Sequence, residues 1–255
     1  MKYVVCYSGG HNSALAAVET VRRFGRENVI LLNHDISSKV ESVKIKEFKK
    51  WVAEYLQVQI SFANCENFEE QTPLSLCLKH GTARFRAGRE ICTYYLKTKP
   101  FYDWLESHYP VEKGGISEEI TLIYGFDSTE TRRIQRRRTF LLGIGYRSMY
   151  PLAEWERTIY EIEEIGILRP EVYKASKHAN CDGCLKAGKQ HWYKIYCCRP
   201  DIYEEAKEVE ERLGYSIIKN EFLADLEPEF ERMRLAGIPA SENMDSYWFW
   251  YYAKK

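Results

Sequence analysis

This chain has no excess of either charge: lysine and arginine number 37, aspartate and glutamate number 37, and the formal net charge is zero. No global field therefore recruits nucleic acid or an anionic membrane, and any such binding has to come from a local patch. Long hydrophobic runs are missing too. Runs such as Val29 to Leu32 fall far short of the roughly 20 residues that span a bilayer. No charged-then-apolar leader opens the chain and no repeat or low-complexity segment interrupts it, so a cytoplasmic protein with no membrane attachment is expected. What is present is an ordinary globular composition, 45% hydrophobic, 14% aromatic and 29% charged. Its 255 residues are enough for one large domain, or one domain with an appended module.

Strands and helices alternate along the first half. Tyr3 to Tyr7 is a short β-rich run that ends at Ser8-Gly9-Gly10, and Ser13 to Phe24 continues at helical spacing. Asn28 to Asn33 encloses a continuous apolar run, as strands covered on both faces do. Lys39 to Leu56 spaces Val43, Phe48, Trp51, Val52 and Leu56 between charges and predicts an amphipathic helix. Gln59 to Ala63 and Glu119 to Gly125 supply a third and a fourth strand, with Tyr94 to His108 as the crossover helix between them. This order predicts an α/β fold on a doubly wound parallel sheet with right-handed crossovers, whose ligands bind beyond the carboxyl ends of the strands. After about Pro151 the pattern changes: Glu156 to Ile165 and Pro200 to Leu213 read as helices, and Ala175 to Lys189 as a turn-rich stretch. An α/β domain over 1–150 and a helical, cysteine-containing module over 151–255 are expected. The aromatic end, Tyr247 to Tyr252, is expected to pack on the body or on a second copy of the chain.

A strand that ends in Ser8-Gly9-Gly10-His11-Asn12-Ser13 and opens a helix can cradle phosphate. Glycines let backbone N–H groups converge, the helix N-terminus adds partial positive charge, and Ser8 and Ser13 supply hydroxyls. The plainer alternative is a strand-to-helix turn with Asn12 or Ser13 as its N-cap. Two other glycine patterns fail. Gly183 to Lys189 has P-loop spacing but puts Gln190 where magnesium needs a hydroxyl, and Gly143-Ile144-Gly145 starts a dinucleotide fingerprint that breaks at Ser148. Arg132, Arg133, Arg136, Arg137 and Arg138 form a basic run, either a patch for a nucleic-acid backbone or a solvated helix face. Eight cysteines in a chain with a full-sized core read as thiols, metal ligands or redox residues, and Cys181-Asp182-Gly183-Cys184 has ligand spacing. Cys6, Cys65 and Cys77 read as ordinary buried or loop thiols.

Tyr7 to Ser13 resembles the S-G-G-x-D-S loop of the PP-loop ATP pyrophosphatases, whose fold is an adenine nucleotide alpha hydrolase-like doubly wound sheet. Three later segments are similar to the phosphoadenosine phosphosulfate reductase-like branch of that superfamily. They are Arg89-Glu90-Ile91-Cys92-Thr93 with Leu96-Lys97 and Pro100, then Tyr124 to Arg133, then Pro151-Leu152 with Trp155 and the Cys181/Cys184 pair. The resemblance implies ATP or a related adenine nucleotide held with Mg2+ by Ser8, Gly9, Gly10, His11, Asn12 and Ser13. It puts Asn33, His34 and Asp35 at the adenosine, with Lys97, Asp127, Glu130 and Arg133 as catalytic groups. It implies a transferase in which an acceptor oxygen attacks the α-phosphate and pyrophosphate leaves, after which sulfur or nitrogen displaces AMP. The acceptor is open, and nucleic acid bound through Arg132 to Arg138 is one candidate. The resemblance also brings Cys92 to Cys181 and Cys184 as one centre, a [4Fe-4S] iron-sulfur cluster or a zinc ion completed by His178 or His191. Two departures shape the expectation: the family's loop aspartate is Asn12 here, and no cysteine follows Cys198 to act as the reductases' nucleophile. Adenylation is thus expected ahead of sulfonucleotide reduction, with a non-catalytic nucleotide-binding module as the remaining alternative.

Overall fold

A computed structural model describes residues 1–255, and the chain divides into two compact units. The first takes Met1–Asp35, Val43–Cys65 and Lys99–Pro170; the second takes Ile36–Ser42, Glu66–Thr98 and Glu171–Lys255.

The first unit is built on β1 (Lys2–Cys6), β2 (Val29–Asn33), β3 (Ile60–Phe62), β4 (Ile120–Ile123) and β5 (Arg147–Met149). All four pairings are parallel and the strand order is β3-β2-β1-β4-β5. Because side chains alternate along a strand, β1 sends Tyr3 and Val5 to one face and Val4 to the other. The first face packs against α1 (His11–Phe24) and α2 (Val43–Leu56) through Ala14, Leu15, Phe48 and Val52. The opposite face packs against α5 (Lys99–His108) and α6 (Thr131–Gly143) through Phe101, Leu105, Ile134 and Leu141. Val4 and Val5 have no exposed surface, and burying a side chain of that size is worth about 1.5–3 kcal/mol. A sheet covered on both faces explains why the strands read as continuous apolar runs.

Several sequence expectations need correction. The fifth strand was missed: β5 is three residues long and opens on an exposed arginine, so it carries no apolar run. The helix expected over 156–165 reduces to a single 3-10 turn at Ile162–Ile165. Its upstream N–H groups bond elsewhere, since Thr158 N and Ile159 N both donate to the Glu19 carboxylate on α1, at 2.5 and 3.0 Å. The crossover helix over 94–108 starts as a π-helical turn at Tyr94–Thr98 and becomes α-helical at Lys99, because Pro100 has no N–H to return to the preceding turn. The boundary expected at 150 does not match the two units either. Residues 151–170 belong with the sheet, where Leu152, Ile159 and Ile162 join the core around α1, and the four-residue α7 (Pro151–Glu154) lies within this stretch.

The second unit is helical: α3 (Pro73–His80), the short α4 (Ile91–Thr93), α8 (Lys189–Cys198), α9 (Pro200–Leu213), α10 (Leu223–Leu235) and α11 (Ser246–Lys254). Trp192, Tyr193, Tyr203 and Phe230 are fully buried, and the Tyr193 and Tyr203 hydroxyls donate to the carbonyls of Ile238 and Leu223, each at 2.7 Å. On aromatic α11, Phe249 is buried against Tyr193, while Tyr247, Trp248, Trp250 and Tyr251 remain exposed. No helix is long and apolar enough to cross a membrane.

Candidate functional site

The chain reverses direction across the sheet between β1 and β4, and at such a switch point the loops leaving two adjacent strands part to form a crevice. After β1 comes the segment Ser8 to Ser13. Gly9 is buried with φ at +78°, a left-handed conformation that favours glycine. A Cβ there would lie 2.5 Å from Lys49 Cε and 2.7 Å from Lys49 Cγ, so the lysine's alkyl chain rests directly on the loop backbone. Gly10 is the N-cap of α1 and no side chain caps the helix, which corrects the assignment of that role to Asn12 or Ser13. Asn12 instead sits exposed inside the first helical turn. Ser8 Oγ donates to Ser13 Oγ at 3.2 Å, Ser13 Oγ donates to Gly10 O at 2.7 Å, and Gly10 N donates to Ser8 Oγ at 3.4 Å, so both hydroxyls are held at the loop.

The loop after β4 approaches so closely that a Cβ on Gly125 would meet Asn12 O at 2.5 Å and Ser13 N at 2.9 Å. Both are backbone atoms and cannot swing away. Asp127 then opens a capping box, its carboxylate accepting from Thr129 N while Glu130 accepts from Asp127 N. The Thr129 hydroxyl, donating to Asp127, leads the effects that hold this carboxyl below its usual range. Arg133 pairs with Glu130 at 2.6 Å and lies over the Phe126 ring at 4.0 Å. The residues expected to be catalytic on this loop are thus gathered, and they also satisfy one another. Within the arginine run, Arg137 stacks over Tyr124, and Arg138 pairs with Glu154 and stacks over Tyr150; Arg132 and Arg136 are exposed.

At the end of β2, Asn33 is buried and its side-chain amide donates to Tyr7 O at 2.5 Å, fastening the strand exit to the start of the Ser8–Ser13 segment. Asp35 carries Lys46 at 3.0 Å and Lys49 at 3.7 Å, while His34 Nδ1 meets Ala63 O at 2.6 Å. Lys49 was missed in the sequence. It occupies the buried face of α2 with Ile45, Phe48, Val52 and Ala53, and a lysine on the apolar stripe of an amphipathic helix was the available signal. His11 turns toward residues 161–163: its Nε2 lies 3.2 Å from Glu161 Oε2 and accepts from Ile162 N at 3.3 Å. Burial and the Arg169 charge hold the imidazole pKa below its usual value. His11, Glu161 and Glu163 have ligand atoms within 4.8 Å of one another, but Arg169 already spans both carboxylates at 2.6 and 2.9 Å.

In the second unit, Cys92, Cys181, Cys184 and Lys97 lie within electrostatic reach of one another. Gly183, with φ at +72°, makes the turn that brings the CxxC sulfurs together. The Cys181 thiol donates to Cys184 and lowers the latter's pKa, helped by a bond from the Lys186 N–H and by the Lys97 charge. Burial pushes Cys92 up to about 11. These sulfurs are more widely spread than the His11 group. His178 is exposed, whereas His191 is buried. Both line a cavity of about 380 Å³ between α8 and α11, bounded also by Lys186, Gln190 and Trp250. No protein-family model, curated protein or solved structure matches the chain.

Proposed function

We propose that the chain binds ATP or a related adenine nucleotide at the crevice between β1 and β4 and activates an acceptor by adenylation. The observation that carries this reading is the uncapped N-terminus of α1, reached through buried, left-handed Gly9 at the strand switch point. Uncapped N–H groups at a helix start, with two hydroxyls held beside them, suit phosphate oxygens. The adenine nucleotide alpha hydrolase-like superfamily and its phosphoadenosine phosphosulfate reductase-like branch belong to the same proposal, which the motif order and the parallel sheet support.

In the reaction proposed, an acceptor oxygen bonds to the α-phosphorus as its bond to the pyrophosphate oxygen breaks. Pyrophosphate leaves with the electron pair and the acceptor's proton passes to solvent or to a base. Ser8, Ser13 and the loop N–H groups hold the leaving phosphates, and Lys49 braces the loop from beneath. Mg2+ supplies charge neutralisation on the phosphates when bound. Sulfur or nitrogen then displaces AMP. A second reading, nucleotide binding without turnover, is favoured by one observation: Asp127, Glu130 and Arg133 are engaged with one another. Calorimetric titration with ATP, followed by pyrophosphate release assayed against hydroxyl and carboxylate acceptors, separates the two. Binding with release supports adenylation, binding alone supports the second reading, and no binding rejects both.

A further inference from the structure

The cavity of about 380 Å³ at the start of α8 lies wholly within the second unit, and no step of the adenylation reaction uses it. The helix begins there without a side-chain cap: Gly188 is the N-cap, and the N–H groups of Gly188, Lys189 and Gln190 have no partner. The first to bond are His191 N and Trp192 N, both to Gly188 O, at 3.1 and 3.3 Å. Gly188, Lys189 and Gln190 all line the cavity, and a Cβ on Gly188 would meet nothing within 4 Å, so the helix start faces open space. Unpaired N–H groups with the helix dipole behind them attract oxyanions.

A second observation is independent of the helix end. His191, 3% exposed, lines the same cavity, and its Nε2 is buried with no hydrogen-bonding partner. An atom left unpaired in this way costs about 1–3 kcal/mol, which folded proteins seldom carry unless a ligand or water offsets it. The other ring nitrogen is engaged: Nδ1 lies 2.7 Å from Glu242 Oε1, and Lys194 Nζ donates to that same oxygen at 2.9 Å. Glu242 is the one carboxylate on the cavity wall, and these two groups already answer its charge. The lysines divide differently. Lys189 pairs with Glu221 and Glu229 at 2.9 and 3.0 Å and Lys186 with Glu90 at 3.2 Å, whereas Lys177 is exposed with no acidic partner. Lys177 is therefore the ammonium left for a ligand.

We propose that this cavity binds a phosphate monoester, its phosphoryl group on the N–H groups of Gly188, Lys189 and Gln190, on His191 Nε2 and on Lys177, and its organic group against Trp250. A phosphoryl group suits the set because its second pKa is about 6. As the monoanion it offers oxygens to the N–H groups and a hydroxyl to an imidazole lone pair; as the dianion it accepts from a protonated ring instead. A carboxylate or sulfate ester, fully ionised near neutral pH, has no such hydroxyl. Size favours an ester over the bare ion. The volume of about 380 Å³ falls within the roughly 300–1,000 Å³ of small-molecule sites, and Phe249 and Trp250 supply an apolar wall that inorganic phosphate would leave unused. The site draws only on residues of the second unit and not on the nucleotide reading, so either can fail without the other.

The test is calorimetric titration of the full-length chain with phenyl phosphate, compared with inorganic phosphate and phenyl sulfate. Phenyl phosphate should bind most tightly of the three. Lys177→Glu should weaken both phosphates roughly tenfold or more, as reversing a charge that meets an ionised ligand does. Trp250→Ala should weaken phenyl phosphate roughly 2- to 10-fold, the range of one aromatic pairing, and leave inorganic phosphate unchanged. His191→Gln should weaken both phosphates as well, with circular dichroism checking its fold; Lys177 and Trp250 are exposed, so their variants keep the test decisive if that one unfolds. Gly9→Val, aimed at the proposed nucleotide loop, should leave this binding in place. Phosphate binding that Gly9→Val removes and Lys177→Glu does not overturns the proposal, as does the absence of any phosphate binding. Phenyl sulfate binding as tightly as phenyl phosphate overturns the choice of a phosphoryl group, and phenyl phosphate binding no tighter than inorganic phosphate overturns the choice of an ester.

Discussion

Gly125→Ala is the most direct test of the idea that the β1 and β4 loops share one site. The new methyl carbon would fall 2.5 Å from Asn12 O, 2.7 Å from Asn12 C and 2.9 Å from Ser13 N. To recover an ordinary contact of 3.4 Å, the two backbones must separate by about 0.9 Å. Overpacking of this kind costs about 1–3 kcal/mol. For a chain of this size each kcal/mol is worth roughly 2–4 °C in Tm, so the midpoint should fall by roughly 2–12 °C. The start of α1 is what must move, and it carries the proposed phosphate-binding segment. A displacement near 1 Å can cost up to about 100-fold in rate, so pyrophosphate release should fall far more than stability does. Thermal denaturation and the release assay, run on the same preparation, measure both effects. A variant with wild-type Tm and wild-type turnover would refute the close approach and the shared site together.

Gly9→Val should abolish ATP binding in calorimetry while circular dichroism shows the fold retained, because the side chain meets Lys49 and blocks backbone approach to phosphate; unchanged affinity removes the loop assignment. Asn12→Asp places an acid in the first turn of α1, which should add about 0.3–1 kcal/mol of stability through the helix dipole and raise Mg2+-dependent turnover; an unaltered turnover means the substitution in this loop is neutral for catalysis. Glu210 is 1% exposed and accepts from Ile217 N and Leu223 N, each at 2.6 Å, and burial pushes its carboxyl above 4.5. The folded state therefore takes up this proton first, so the stability linked to it is fully present below 4.5 and is lost as pH rises through the raised value. Tm measured from about pH 4 to about pH 8 should show the wild type losing ground to Glu210→Gln, and parallel curves would contradict the shift.

The three longer strands, β1, β2 and β4, were legible because burial on both faces leaves an unbroken apolar run, as at Val29–Asn33. The same logic made β5 invisible, since Arg147–Met149 carries no such run and is specified by its pairing with β4. The false helix at 156–165 shows a different limit. Ile159, Ile162 and Ile165 have helical spacing, but the backbone there is claimed by the Glu19 and Glu164 carboxylates, and no local pattern announces a bond from a residue 139 positions away.

The candidate site divides along the same line between what a local motif encodes and what tertiary pairing decides. Ser8 to Ser13 was legible because glycine at a strand-to-helix turn has a local conformational cause, and Gly9 does adopt positive φ. Lys49 was not, because its importance comes from where α2 lays its stem across Gly9. The choice between His178 and His191 is the clearest case. Both follow the sequence rule equally well, and nothing in their spacing from Cys184 separates them. What separates them is tertiary: His191 is buried with Nδ1 2.7 Å from Glu242 Oε1, 51 residues away, whereas His178 is exposed. A pairing across that sequence distance becomes visible only once the chain has folded.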